Sequence, residues 1–537
     1  MGGSTLYNQQ GQILTIITID MNEITVIGLL EKYKEWVKRK EIQYLENNPN
    51  EEAEILLYVQ YLIDEITKAQ KQGELSVNLD WYTVHDIGRK LWEKLASCAL
   101  NSIDQDSKGN SELFKFLKSA TEFEDILYGL EVYYRDHTLH SLWVYFIGEF
   151  ILRDLMPDIR NNLNWHLYND IEKDKVSYSP NLLKDAKKLE EIACKKVNKY
   201  RDAIWCIIAL CHDLGYSLSK LEMLNEKALG VLKYFDLPNF RHIGYSMDIE
   251  HQHLMTQFLE LMSIDIRLVP SINEKEVIAK CYRDDSTFWK LCRAIEKKQH
   301  GVFSSYLLYK ILGIFADTYV RGTADEWGLD DDEIIYNIIR GEILFSIAQH
   351  EFDFAHLNEI SSLADLLVIA DELEEFSRFG RQLQSRKYYD TMATSKVRFS
   401  KDKPKQGDDI EVYIEYKVAE HRELANFFIH KAKKLCKTYS LDLAREDDKY
   451  CTINRIKMIA TKADKKLEFQ LCRNLENVQG YLPEAVIEEK RFHAGIYKLK
   501  CLDDEIMVKY DSTSIPIGEW FNNVNDPWWE KNYKEWK

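Results

Sequence analysis

The stretch IIALCHDLGYSLSK, residues 207–220, decides how this chain is read. An apolar run ends abruptly in two adjacent ligand-type side chains, His212 and Asp213, with Gly215 close behind. An apolar helix has little reason to finish in an imidazole and a carboxylate unless something there holds both. Alone, the pair reads equally well as the polar end of a buried helix. Its neighbours along the chain separate the two readings.

Upstream, apolar residues recur every three to four positions in IGLLEKYKEWVKRKEIQYL and EILLYVQYLIDEITKAQ, which predicts a helical N-terminal extension over residues 1–124. The same periodicity continues through LHSLWVYFIGEFIL, AIWCIIALCHDLG, VFSSYLLYKILGIF, EILFSIAQHEF and LADLLVIADELEEFSRFGRQL. Proline is sparse there and lies outside those segments, so residues 125–395 are expected to form an all-helical bundle. The texture changes after SRKYYDTMATS. The alternating IEVYIEYKV (410–418) predicts a half-buried strand, AEHRELANFFIHKAKKLCKTY a helix, and INRIKMIA, LEFQL, GIYKLKC and EIMVKY further strands. Residues 396–537 are therefore expected to be an α+β module with an aromatic-rich tail, and the fold class is mainly α.

Within the expected bundle, histidines and aspartates stand at the ends or on the faces of apolar helices: His137 and His140 in YYRDHTLHSLWVYFIG, His212 and Asp213, His300 in KKQHGVFSSYLL, His350 in FSIAQHEF, and Asp371 in LLVIADELEEFSR. Imidazole and carboxylate donors hold divalent ions of the Mn, Fe, Co, Zn or Mg type, and packed helices can aim them at one point. Adjacent residues on a helix point about 100° apart, so His212 and Asp213 can share a site only if it lies between them, which suits a carboxylate bridging two ions. His140, His212, Asp213 and Asp371 would suffice for one ion, with His300 and His350 available for a second. His137 shares a face with His140 and fits a supporting role. His242, His251, His253 and His356 read as ordinary histidines, although His251 or His253 could replace His300.

The set RDHTLHS, CHDLG, QHG, AQHEF and IADELEEFSR resembles the HD superfamily of metal-dependent phosphohydrolases, over roughly residues 125–390. The resemblance implies an all-helical HD domain in which His140, His212, Asp213 and Asp371 are the core ligands. It also implies that His300 and His350 are the additional pair of the dinuclear phosphodiesterase branch. Phosphoester hydrolysis at a nucleotide-type substrate is the activity so implied, with Asp213 bridging the ions and orienting the nucleophile. Developing negative charge calls for cations. Arg378 stands seven residues beyond Asp371, two helical turns along the same face, with Lys220 and Arg135 as further candidates. The same ligands would serve a di-iron oxygenase, or a nucleotide-sensing module of a bacterial defence or stress system.

Bulk properties narrow the partners. The chain has 537 residues, 45% hydrophobic, with a net charge of −17, which disfavours a nucleic-acid coat. Residues 396–537 carry 27 basic against 25 acidic side chains, so the acidity is concentrated in the first 395 residues. The local basic run HKAKKLCK (430–437) is the one place a nucleic-acid contact would be sought, and a solvated helix face is the plainer reading. Residues 396–537 are also where a protein partner or a second copy would bind. The ten cysteines form no C-x-x-C pair, no basic stretch followed by an apolar one opens the chain, and no apolar run spans a bilayer, so a cytoplasmic protein is expected.

Overall fold

The computed structural model describes residues 6–7, 13–14, 25–46, 48–71, 81–105, 108–127, 133–175, 177–232, 249–273, 275–316, 329–351, 357–381, 389–391, 393–401, 403–405, 407–419, 423–439, 451–472, 491–492, 495–501, 507–510 and 513–516. Two short strands, β1 (Leu6–Tyr7) and β2 (Ile13–Leu14), precede helices α1 (Val26–Lys38), α2 (Pro49–Lys71), α3 (Trp81–Ile103) and α4 (Asn110–Leu127). Thr25 caps α1 by accepting from the Gly28 amide, and the helix buries Leu29, Leu30, Tyr33, Trp36 and Val37, one face at the three-to-four spacing.

Next come β3 (Tyr133–Arg135), α5 (His137–Phe150), α6 (Pro157–Asn161), β4 (Leu167–Asn169), α7 (Asp170–Lys173), α8 (Pro180–Val197), α9 (Arg201–Cys211) and α10 (Tyr216–Leu232). Every residue of α9, and every residue of α5 after His137, is buried. Helices apolar on all sides belong at the centre of a core, and these two form it. They touch at Gly148, where an added Cβ would stand 1.9 Å from Cζ2 of Trp205. The Trp205 indole N–H donates to the Tyr145 carbonyl at 3.2 Å. Around this pair lie α11 (Ile249–Met262), β5 (Ile264–Pro270), β6 (Val277–Arg283), α12 (Asp285–Glu296), α13 (His300–Ile311), α14 (Gly313–Ala316), α15 (Asp331–Gln349), β7 (Glu359–Ile360) and α16 (Leu363–Leu373).

The expectation of an all-helical HD bundle over 125–395 is corrected: the chain is mixed α/β, though mainly helical. β4, β5 and β6 form a three-stranded sheet, with β4 parallel to β5 and β5 antiparallel to β6. The reason is legible in IDIRLVPSINEKEVIAKCYR: Ile266 and Leu268 are buried opposite Cys281 and Ala279, while the residues between them are more exposed. That is a strand's period of two on both arms of a hairpin. A second small sheet joins β3 to β8 (Arg378–Arg381) and β9 (Tyr389–Thr391).

The chain then builds β10 (Ala393–Phe399), β11 (Asp409–Val418), α17 (Leu424–Thr438), β12 (Cys451–Lys462), β13 (Lys465–Cys472), β14 (Arg491–Phe492), β15 (Gly495–Cys501), β16 (Met507–Tyr510) and β17 (Thr513–Pro516). Strands run in the order β10-β11-β12-β13-β15-β14, with β7 added on β12. β11 and β12 are parallel, so α17 serves as the crossover between them. β11 buries Ile410, Val412, Ile414, Tyr416 and Val418 on one face. Ile360 of β7 pairs with Cys451, so the helical part lends a strand to this sheet. The aromatic tail EWFNNVNDPWWEKNYKEW lies outside the described residues. No helix among the described residues is long and apolar enough to cross a membrane.

Candidate metal centre

Five helix ends meet at one buried point. His140 sits in the first turn of α5, and His212 and Asp213 occupy the turn that closes α9. His300 opens α13, His350 follows the last residue of α15, and Asp371 lies in the last turn of α16. The approach of α13 to the His212–Asp213 turn depends on Gly215, where a Cβ would come within 2.3 Å of the His300 carbonyl oxygen. The Gly215 amide donates to Ser304 Oγ at 2.7 Å, which fastens the turn to α13.

Each imidazole is turned the same way. His212 Nδ1 lies 2.9 Å from the Ala209 carbonyl, and His350 Nδ1 lies 2.6 Å from the Ile347 carbonyl. A carbonyl oxygen only accepts, so both Nδ1 atoms carry the proton and both Nε2 atoms present lone pairs. The two histidines thereby also satisfy carbonyls that a helix C-terminus leaves open. His140 Nδ1 donates to Glu374 Oε2 at 2.7 Å, and His300 Nδ1 lies 2.8 Å from Glu351 Oε2. These carboxylates do for His140 and His300 what backbone carbonyls do for the other pair.

The inward atoms then crowd together. Nε2 of His140 and His212 stand 3.2 Å apart, as do Nε2 of His300 and His350. Asp213 lies between the two pairs: Oδ2 is 3.4 Å from His140 Nε2, and Oδ1 is 2.9 Å from His300 Nε2 and 3.6 Å from His350 Nε2. Asp371 Oδ1 is 3.1 Å from His140 Nε2. Lone pairs facing lone pairs in a buried space are unfavourable unless a proton or a cation lies between them. A proton on His300, shared with Asp213 at 2.9 Å, meets part of that need, and the set of imidazole nitrogens and carboxylate oxygens fits a divalent cation in its place. Two groups could hold a metal ion, His140–His212–Asp371 and His212–Asp213–His350, the ligand atoms in each lying within 4.8 Å of one another.

Charge at the centre is sharply divided. Burial, partly opposed by Asp213, pushes His212 down to about 3. Burial would also lower His300, but Asp213 and Glu351 outweigh it and hold this imidazole up at about 10. Against their burial, Asp213 is kept well below the usual carboxylate range by the surrounding imidazoles, and Asp371 by Lys434 and Arg135.

No family model matches the chain, and no curated protein or solved structure is similar to it. The donor geometry therefore carries the functional reading by itself.

The structure brings His140, His212, Asp213, His300, His350 and Asp371 together. His251 and His253 are exposed on α11, so His300 is the histidine that faces His350. His242 and His356 lie outside the described residues. His137 stacks on Tyr216, ring centroids 4.1 Å apart, and Tyr216 in turn meets the edge of His300 at 5.2 Å. Buried Lys220 lies over the Tyr216 ring, 4.6 Å from its centroid. The case for Arg378 is corrected: α16 stops at Leu373, Glu374 turns extended, and Arg378 falls on β8, where its backbone pairs with Arg135. No continuous helix carries it two turns past Asp371. Two cations stand beside Asp371, Lys434 and Arg135, the latter with Nη1 3.0 Å from Oδ1 and Nη2 donating to the Glu374 carbonyl at 3.2 Å.

Glu351 and Glu374 were not singled out from the sequence, and Lys434 was noted only as part of the run HKAKKLCK. Glu351 directly follows His350 and Glu374 follows Asp371 by three residues, so adjacency to a ligand was the available signal. In an acidic run such as DELEE the same letters read as a solvated face.

Proposed function

We propose that this chain is a metal-dependent phosphohydrolase of the HD type, acting on a nucleotide-type phosphoester at a site for two divalent ions. One observation carries the reading: four imidazoles with Nδ1 engaged outward and Nε2 turned inward, split into two pairs by one carboxylate that offers an oxygen to each. His140, His212 and Asp371 would hold one ion and His300 and His350 the other, with Asp213 shared. Divalent ions in such a pair supply Lewis acidity and an activated water for in-line attack on phosphorus.

The chain's own groups do the rest. Asp213, shared between the ions, would orient the attacking water. Arg135, held against Asp371 and the Glu374 carbonyl, offers a fixed guanidinium to phosphate oxygen. Four carboxylates stand at the centre, Asp371 and Glu374 against Arg135 and Asp213 and Glu351 against His300, and bound cations would offset their charge where a phosphate is to sit.

The test is a phosphate-release screen across nucleotides and phosphodiesters with Mn²⁺, Mg²⁺, Co²⁺ or Fe²⁺, run beside Asp213→Ala with metal content measured. The expected result is about two ions per wild-type chain and activity that disappears in the variant. Activity retained by Asp213→Ala, or wild-type protein that takes up metal and releases phosphate from nothing, would overturn the reading.

A further inference from the structure

The basic run of residues 430–437 lies on α17, and two of its lysines face the metal-bearing helix rather than open solvent. Lys431 is buried, with Nζ 2.9 Å from Glu372 Oε1, 3.0 Å from the Glu372 carbonyl and 2.6 Å from Glu375 Oε1. These contacts already fasten α17 to the end of α16. Three residues on, along the same helix face, Lys434 places Nζ 2.7 Å from Glu372 Oε2 and 3.5 Å from Asp371 Oδ2.

Lys434 differs from Lys431 in its position. Its side chain is 29% exposed where that of Lys431 is 2% exposed, so it stands at the rim of the site while Lys431 is sealed beneath it. Asp371 is likewise the most open of the six ligands, with 17% of its side chain exposed. Its two oxygens face different cations, Oδ1 toward Arg135 and Oδ2 toward Lys434. A phosphoester brought to ions held by Asp371 would lie close to both of these side chains. A lysine on a flexible stem is a mobile point charge suited to following a phosphate oxygen, whereas the arginine is fixed by its paired contacts.

We propose that Lys434 binds the substrate's phosphate opposite Arg135, so that the C-terminal sheet domain completes the active site. This rests on the phosphohydrolase reading and assigns one further residue to it. The sheet domain is then part of the catalytic centre, and the helical part by itself lacks one wall of the substrate site.

Lys434→Gln and Lys434→Arg in the full chain, loaded with Mn²⁺, test this through three readouts: bound Mn²⁺, inorganic phosphate affinity by titration calorimetry, and hydrolysis of bis(p-nitrophenyl) phosphate. Loss of one charge-assisted hydrogen bond predicts an approximately tenfold weaker phosphate affinity and a similar rise in KM for Lys434→Gln, with Mn²⁺ content unchanged. Lys434→Arg should restore most of the affinity. In wild-type protein, phosphate should protect Lys434 from acetylation only when Mn²⁺ is present, a readout independent of any variant. Unchanged phosphate affinity and KM in Lys434→Gln, beside an active wild type, would overturn the assignment while leaving the phosphohydrolase reading intact. Loss of Mn²⁺ from Lys434→Gln would make the lysine a positioning residue for Asp371 and overturn it too. A wild type that takes up Mn²⁺ but neither binds phosphate nor cleaves any ester would sink both.

Discussion

His140 is gripped at both ring nitrogens. Nδ1 donates to Glu374 Oε2, and Nε2 faces His212, Asp213 and Asp371. Glu374 is itself buried and fixed by the Ser377 amide at 2.7 Å and the Ser377 hydroxyl at 2.6 Å. An anionic acceptor behind an imidazole raises its strength as a ligand, and such outer partners contribute ~10–100-fold to metal affinity. Glu374→Gln keeps the shape and removes the charge, so it should weaken Mn²⁺ binding by about tenfold in a chelator competition while leaving the melting temperature near that of wild type. An unchanged Mn²⁺ affinity would show that Glu374 does not tune His140. Arg135 NH2 on the Glu374 carbonyl ties the same residue to the anion-facing side, so one glutamate links ligand, cation and backbone.

At the scale of elements, the site is made by where helices stop. α5, which carries His140, and α9, which ends at His212, approach closely because position 148 is glycine. Gly148→Ala forces a methyl group onto the Trp205 indole, and overpacking of this kind costs about 1–3 kcal/mol. Urea unfolding should report the loss, and a variant as stable as wild type would mean that α5 and α9 can part without penalty. The ligands were legible because each interrupts or ends an apolar helix, a place where hydrophobic periodicity leaves no reason for His or Asp. The β5–β6 hairpin was less so: IDIRLVP and VIAKCYR are short, and their alternation is diluted by partly exposed Ile264, Val269, Val277 and Ile278. Arg378 was misplaced for a related reason. No glycine or proline marks the end of α16, whose termination appears only once Glu374 is seen extended and turned onto Ser377.

For the whole molecule, the helical part and the sheet meet through charge. Lys431 of α17 is buried against Glu372 and Glu375 of the segment that carries Asp371. Replacing it with methionine removes a buried cation from two carboxylates, of which Glu372 keeps Lys434, and breaking a buried pair costs up to ~3–5 kcal/mol. Lys431→Met should therefore lower the midpoint of chemical unfolding clearly, and a midpoint within error of wild type would show that the two parts are held by apolar packing alone. None of this was accessible from the run HKAKKLCK, because which lysines face inward depends on where the crossover helix lands. The convergence of helix ends has one more consequence. Three of the five are C-termini, those of α9, α15 and α16, and the two N-termini are each answered by a carboxylate, Asp136 on the Leu139 amide and Glu351 on the His300 amide. A helix C-terminus carries roughly half a negative unit charge from its aligned peptide dipoles. The backbone thus contributes its own negative potential at this point, a contribution that would persist in a chain stripped of Asp213 and Asp371.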